Sequence, residues 1–120
     1  MSFLMIIINT MRISTLQAEK QIQEIVKHIA VQLQPVKIIL FGSFARGDYN
    51  TASDLDLCVI MRSAADWFTR TYEFKQKVGF SEFDIEPHIF TEEEFNKMIK
   101  NENPFAMRIL KEGKILYEQQ

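Results

Sequence analysis

The chain places Gly-Ser directly after one apolar run and leads into the next apolar run through two aspartates, in the stretch ILFGSFARGDYNTASDLDLCVI at positions 39–60. Two acids inside a strand that otherwise reads as core are costly. An ionised carboxylate buried without a partner loses its hydration and tends to take up a proton. Asp54 and Asp56 must therefore lie at an open strand end, or meet something cationic there. Both runs read as strands. Positions 36–41 (VKIILF) are short, β-branched and almost continuously apolar, the pattern of a strand covered on both faces. In 54–61 (DLDLCVIM), alternation sets Asp54, Asp56 and Cys58 on one face and Leu55, Leu57 and Val59 on the other.

The remaining pattern predicts helices around these strands. From Ser14, Leu16, Ile22, Ile25, Val26, Ile29 and Leu33 recur at helical spacing, Ser14 with Gln17 fits a capping box, and Pro35 ends the helix. Positions 63–78 read as a second helix anchored by Trp67, Phe68 and Phe74 and closed by Gly79. A third strand over 82–90 puts Asp84, Glu86 and His88 on one face, with His88 expected to face solvent or hold a hydrogen bond. Thr91 with Glu94 opens another helix as a capping box, Asn103–Pro104 opens the last, and KILYE closes the chain as an extended piece. The expectation is an α/β domain in which a small mixed β-sheet is flanked by helices.

A chain of 120 residues suits one domain, assigned to 14–120. Positions 1–13 read as an apolar tail or an edge strand, and Met11 is an alternative natural start that intact mass would test. That run lacks a signal peptide's positive start and cleavage site, and it is shorter than the ~20 residues a bilayer requires. No membrane association is expected, and the expected compartment is the cytoplasm. A formal net charge of -2 argues against general nucleic-acid binding. The lone Cys58 excludes an internal disulfide and reads as a small core residue, and two histidines are too few for a zinc cluster.

Asp54, Asp56 and Asp84 project from two strands, and they would share one face of one sheet if those strands lie side by side. Gathered carboxylates repel one another and invite hard divalent cations, Mg²⁺ above all. The Gly42-Ser43 turn allows close backbone approach and offers N–H and hydroxyl donors to a phosphate, while Arg46 adds a fixed positive charge. Taken singly, each feature has a plainer reading: an ordinary turn, a solvated strand entry, the wet face of an edge strand. Together and in this order they fit phosphoryl or nucleotidyl transfer.

GSFARGDYNTASDLDLCVI resembles the signature of the nucleotidyltransferase superfamily related to DNA polymerase beta, most closely its minimal stand-alone (MNT-type) members, which are often encoded beside a helical HEPN partner. Gly42, Ser43, Asp54, Asp56 and Asp84 fill the pattern. The flanks ARG and SDLDL match, and NPFAMRILKEGKILYE is similar to the closing helix and strand, so the resemblance spans about 22–118. The sequence departs at Phe44, where arginine or another polar residue is frequent, and in offering Glu86 as an alternative third acid. The resemblance implies the polymerase beta-like fold and two Mg²⁺ ions on Asp54, Asp56 and Asp84. It also implies nucleotide binding at Gly42, Ser43 and Arg46, with ATP as substrate. In such pairs AMP goes onto a tyrosine of a HEPN toxin, this chain being the antitoxin. A non-catalytic binding antitoxin and a small-molecule, aminoglycoside-type transferase working as a homo-oligomer are the alternatives.

Overall fold

The computed structural model describes the backbone of residues 3–50 and 52–120, and the side chains of residues 16–50 and 52–120. Nine elements follow one another among these residues. Helix α1 (Phe3–Leu33) leads to strand β1 (Lys37–Phe41), a single helical turn α2 (Ser43–Arg46) and β2 (Leu55–Ile60). Helix α3 (Trp67–Val78) precedes β3 (Ile85–Phe90), and α4 (Glu92–Lys100), α5 (Pro104–Glu112) and β4 (Lys114–Glu118) complete the chain. The sheet is mixed, in the order β3-β2-β1-β4, with β2 and β3 parallel and the other pairs antiparallel.

This sheet separates two apolar layers. Leu55, Leu57 and Val59 pack with Ile38, Leu40 and Ile89 beneath Ile22, Val26 and Ile29 of α1 and Phe74 and Val78 of α3. The opposite face carries Ile39, Phe41, Cys58 and Ile60 against Phe95 of α4 and Ala106 and Ile109 of α5. Burial on both faces explains the near-continuous apolar run of β1. Cys58 is fully buried, and burial pushes its thiol up to about 12, which keeps it a packing residue. Among the described residues no helix is long and apolar enough to cross a membrane.

Several boundaries differ from the sequence expectation. Helix α1 begins at Phe3, so positions 3–13 are helical backbone and not an edge strand, and Ser14 lies within the helix and not at its start; residues 1 and 2 fall outside the described residues. No glycine or proline interrupts the chain before Pro35. Extending an existing helix gains one hydrogen bond per residue, whereas a strand would have needed its own partner. Helix α3 starts at Trp67 because Asp66 caps it, accepting from the Thr69 N–H at 2.7 Å. β3 starts at Ile85, the chain bending through the preceding residues with the Ser81 hydroxyl donating to the Phe83 carbonyl. The Thr91–Glu94 capping box and the Asn103–Pro104 start form as expected.

Trp67 and Phe68 do not anchor α3: they are 55% and 73% exposed. Its inward stripe is Arg70, Phe74 and Val78, spaced four apart. Arg70 can be buried because all three guanidinium nitrogens find acceptors, the Ala65 and Ile89 carbonyls and the Glu94 carboxylate. Its Nε donates to the Ala65 carbonyl at 2.9 Å, and its fork grips Glu94 at 2.6 and 2.9 Å. This fork holds the Glu94 carboxyl down to about 2 against the opposing effect of burial, with the Thr91 N–H assisting. Because that folded-state value is depressed from the ordinary 4.5, the pair stabilises the fold above pH 4.5, and the contribution is lost as pH falls toward about 2. Arg70→Met is expected to lower the urea-unfolding free energy at pH 7 by about 2 kcal/mol, less than for a fully buried pair because Glu94 is 45% exposed. The gap between variant and wild type should narrow as pH falls through that window.

Candidate active site

The site begins where β1 runs out. Gly42 holds φ 78° and ψ -156°, a conformation essentially confined to glycine. A side chain here would also collide: a Cβ would overlap Asp56 Oδ2 and lie 3.0 Å from its Cγ. Two constraints therefore select the same residue. The Gly42 carbonyl accepts from the Ala45 and Arg46 N–H groups at 3.1 and 3.0 Å, which winds α2, and Gly47 ends the turn in the left-handed region. Ser43 and Phe44 head this turn, where N–H groups have no intrahelical acceptor. Phe44, the departure from the family pattern, anchors it: its ring is buried, stacked on Tyr49 at 4.4 Å and edge-on to Phe83 at 5.1 Å. The chain then returns to β2 through a turn tied by Asn50 and Ser53, with the Asn50 N–H donating to Ser53 Oγ at 2.9 Å.

Sheet register gathers the acids at one corner. Phe41 pairs with Asp56, and Asp56 with Glu86 across the parallel pair. The Leu55 N–H donates to the Asp84 carbonyl at 2.7 Å, setting Asp54 and Asp84 side by side just ahead of their strands. Asp54, Asp56, Asp84 and Glu86 thus share the sheet face that α5 covers. Asp54, Asp84 and Glu86 are exposed, while Asp56 is half-buried. Burial raises the Asp56 carboxyl; His88 and Arg108 oppose this, and Asp54 and Glu86 raise it further. The sequence expectation for His88 is a solvent-facing or hydrogen-bonded side chain; in the structure it packs against aromatic rings instead. It is half-buried between the Phe41 and Phe105 rings, at 5.2 and 5.1 Å, and burial lowers its pKa against the pull of Asp56 and Glu86.

Among the described residues, no three His, Cys, Asp or Glu side chains stand close enough together to hold a metal ion as they lie. Repelling carboxylates spread into solvent, which accounts for the three exposed ones. The donor set nonetheless fits Mg²⁺: all the candidate ligands are hard carboxylate oxygens, and the half-buried Asp56 is raised chiefly by burial, with Asp54 and Glu86 adding to it, a cost that a divalent cation would reverse.

Two residues that the sequence reading did not single out complete the corner. Glu112, the last residue of α5, accepts from the Gly42 N–H at 3.2 Å, from Arg46 Nη1 at 3.2 Å and from Arg108 Nε at 2.7 Å. Arg46 also pairs with Asp48 at 3.2 Å. Burial works to raise the Glu112 carboxyl, but Arg108, Arg46 and the Gly42 N–H together hold it below its ordinary value. Arg108 lies over the Phe41 ring, 5.6 Å from its centroid. The only signal in the chain was the i,i+4 spacing of Arg108 and Glu112, which looks like an ordinary surface pair. A groove of about 620 Å³ between the sheet and α4–α5, lined by Val36, Ile39, Phe95 and Ile109 among others, contains none of the acids and does not form part of the site.

Gly42→Ala is expected to lower stability by about 3 kcal/mol in urea unfolding, since both the backbone conformation and the Asp56 contact are lost. Asp56→Asn should act the other way. A folded-state value raised above the ordinary 3.8 means that the ionised carboxylate costs stability once pH rises through that raised value. The metal-free Asn variant is thus expected to melt a few degrees above wild type at pH 7. That difference should close below pH 3.8, where Asp56 is neutral in both folded and unfolded chains.

Comparison with known proteins bears on this corner. The pattern of the family described as "Polymerase beta, Nucleotidyltransferase" matches residues 20–120. A "putative protein adenylyltransferase" of Methanocaldococcus jannaschii is 35% identical over 102 residues, covering 82% of this chain and 97% of the relative. Among solved structures, a "putative nucleotidyltransferase" from Sulfolobus solfataricus shares the fold with a TM-score of 0.61 at 22% identity, over 88% of this chain and 85% of that one. A toxin–antitoxin crystallised with AMP-PNP superposes with a TM-score of 0.56 at 22% identity, over 82% and 74% of the two chains. With the family pattern spanning most of its length and the Gly-Ser turn set against the acid pair, this chain belongs to the polymerase beta nucleotidyltransferase family.

Proposed function

We propose that this nucleotidyltransferase moves AMP from ATP onto a hydroxyl of a protein, a tyrosine of a helical HEPN-type toxin, and so acts as the antitoxin of a pair. The contact of Gly42 with Asp56 carries the reading, because it sets a phosphate-binding turn directly against the acids that would hold metal. The 35% identical relative named as a protein adenylyltransferase supports AMP as the group moved and protein as the acceptor. The toxin–antitoxin fold neighbour with its bound ATP analogue supports the pairing.

Asp54, Asp56 and a third acid would hold two Mg²⁺ ions, which when bound neutralise triphosphate charge and polarise the reacting phosphorus. The Ser43 hydroxyl and the N–H groups at the head of α2 bind the β- and γ-phosphates, and Arg46 balances their charge. An attacking hydroxyl oxygen forms its bond to the α-phosphorus as the bridging Pα–O bond breaks, so pyrophosphate leaves. The third acid takes the hydroxyl proton. Asp84, beside Asp54, is that acid in this reading. Glu86 is the alternative favoured by one observation: it stands in register with Asp56 and adds to the field upon it.

The test is transfer of label from α-labelled ATP with Mg²⁺, in the presence of a helical protein encoded beside this chain. The expected outcome is labelled partner with pyrophosphate released, and a fall of about 10³-fold or more in Asp54→Asn/Asp56→Asn. Of Asp84→Asn and Glu86→Gln, the one with the comparable fall identifies the third acid. A tight, unlabelled complex would instead favour the non-catalytic antitoxin, and label on an aminoglycoside the small-molecule transferase.

A further inference from the structure

Glu112 sits where an anion is wanted. Three donors from separate parts of the chain converge on its carboxylate: the Gly42 N–H at the end of β1, the Arg46 guanidinium from α2 and the Arg108 guanidinium from α5. Its side chain is only 17% exposed, whereas those of Arg46 and Arg108 are 41% and 49% exposed. The carboxylate is therefore the enclosed member of the cluster, and the two cations open to solvent around it. A surface ion pair formed for charge balance alone has no need of a backbone N–H from the turn that meets Asp56.

We propose that Glu112 is an internal stand-in for a substrate phosphate: it occupies the seat formed by Gly42, Arg46 and Arg108, and the nucleotide triphosphate displaces it on binding. The inference rests on the nucleotide site of the proposed function and adds the device that guards it. Without nucleotide, the carboxylate satisfies the Gly42 N–H and holds two guanidiniums together that would otherwise repel each other. With nucleotide, a phosphate of higher charge takes over the same donors, because charge-assisted bonds strengthen with the charge of the acceptor. Arg108 thereby becomes a phosphate-binding residue, although it lies 54 positions beyond Asp54 and outside the motif. The displaced carboxylate competes with substrate, so apparent affinity is reduced by the fraction of molecules in which the seat is filled.

Glu112→Gln keeps the shape and removes the charge. Its dissociation constant for a non-hydrolysable ATP analogue with Mg²⁺ is expected to fall by about fivefold to tenfold, as is KM for ATP, with kcat not raised. Inorganic tripolyphosphate should show the same gain and adenosine none. If Glu112 were merely a brace for the Gly42 turn, the variant would bind the analogue more weakly and kcat would fall with it. Wild-type binding with an unchanged or weakened variant overturns the inference and leaves the nucleotide site standing. Failure of both proteins to bind the analogue removes the nucleotide site, and the inference with it. Should the variant not fold, a crystal structure of the wild-type protein with the analogue decides: Glu112 withdrawn from the Gly42 N–H and Arg108 is expected, and Glu112 still bonded to both overturns the proposal.

Discussion

The close approach of Asp56 to Gly42 governs the rest of the site. A glycine lets β1 end in a conformation that other residues avoid, and it leaves the space into which the carboxylate fits. That single contact couples two functions that sequence separates by fourteen positions, a turn rich in hydrogen-bond donors and an acidic strand. The antiparallel register of β1 with β2 holds them together, since Phe41 pairs with Asp56 and Gly42 must follow.

Charge in this fold is distributed according to what surrounds it. At α3, Arg70 is buried and fully bonded, and its fork on Glu94 ties α3 to α4 near the end of β3. At the other end of the sheet, four carboxylates share one face with no such bidentate partner, and burial raises the half-buried Asp56 above its ordinary value. The first arrangement stabilises the domain; the second leaves an electrostatic deficit that a cation would relieve. Arg108 and Glu112 connect the two regimes, reaching from the well-packed α5 to the edge of the acid corner.

Much of this was legible in the chain. The two central strands, the Thr91 capping box, the Asn103–Pro104 start and the face shared by Asp54 and Asp56 follow from local patterns, because a period of two and a cap depend on near neighbours. Errors arose where the outcome depended on distant partners. Trp67 and Phe68 have the size of core anchors, yet α3 turns Arg70 inward because Ala65, Ile89 and Glu94 together offer it acceptors. Positions 1–13 read as an apolar tail or an edge strand, and the helix of α1 runs through them from Phe3.

The sequence by itself determined the α/β alternation and the Gly-Ser to Asp-x-Asp order, since these are set by residue type and short-range spacing. It also determined that two acids must share one face of a strand, because side chains alternate along any extended backbone. Only the tertiary structure decided which β3 acid faces Asp56, because a parallel register is set by packing between strands and not within them. It alone brought Glu112 to Gly42 across seventy positions, because the placement of α5 against the sheet depends on Ala106 and Ile109 finding Phe41 and Cys58.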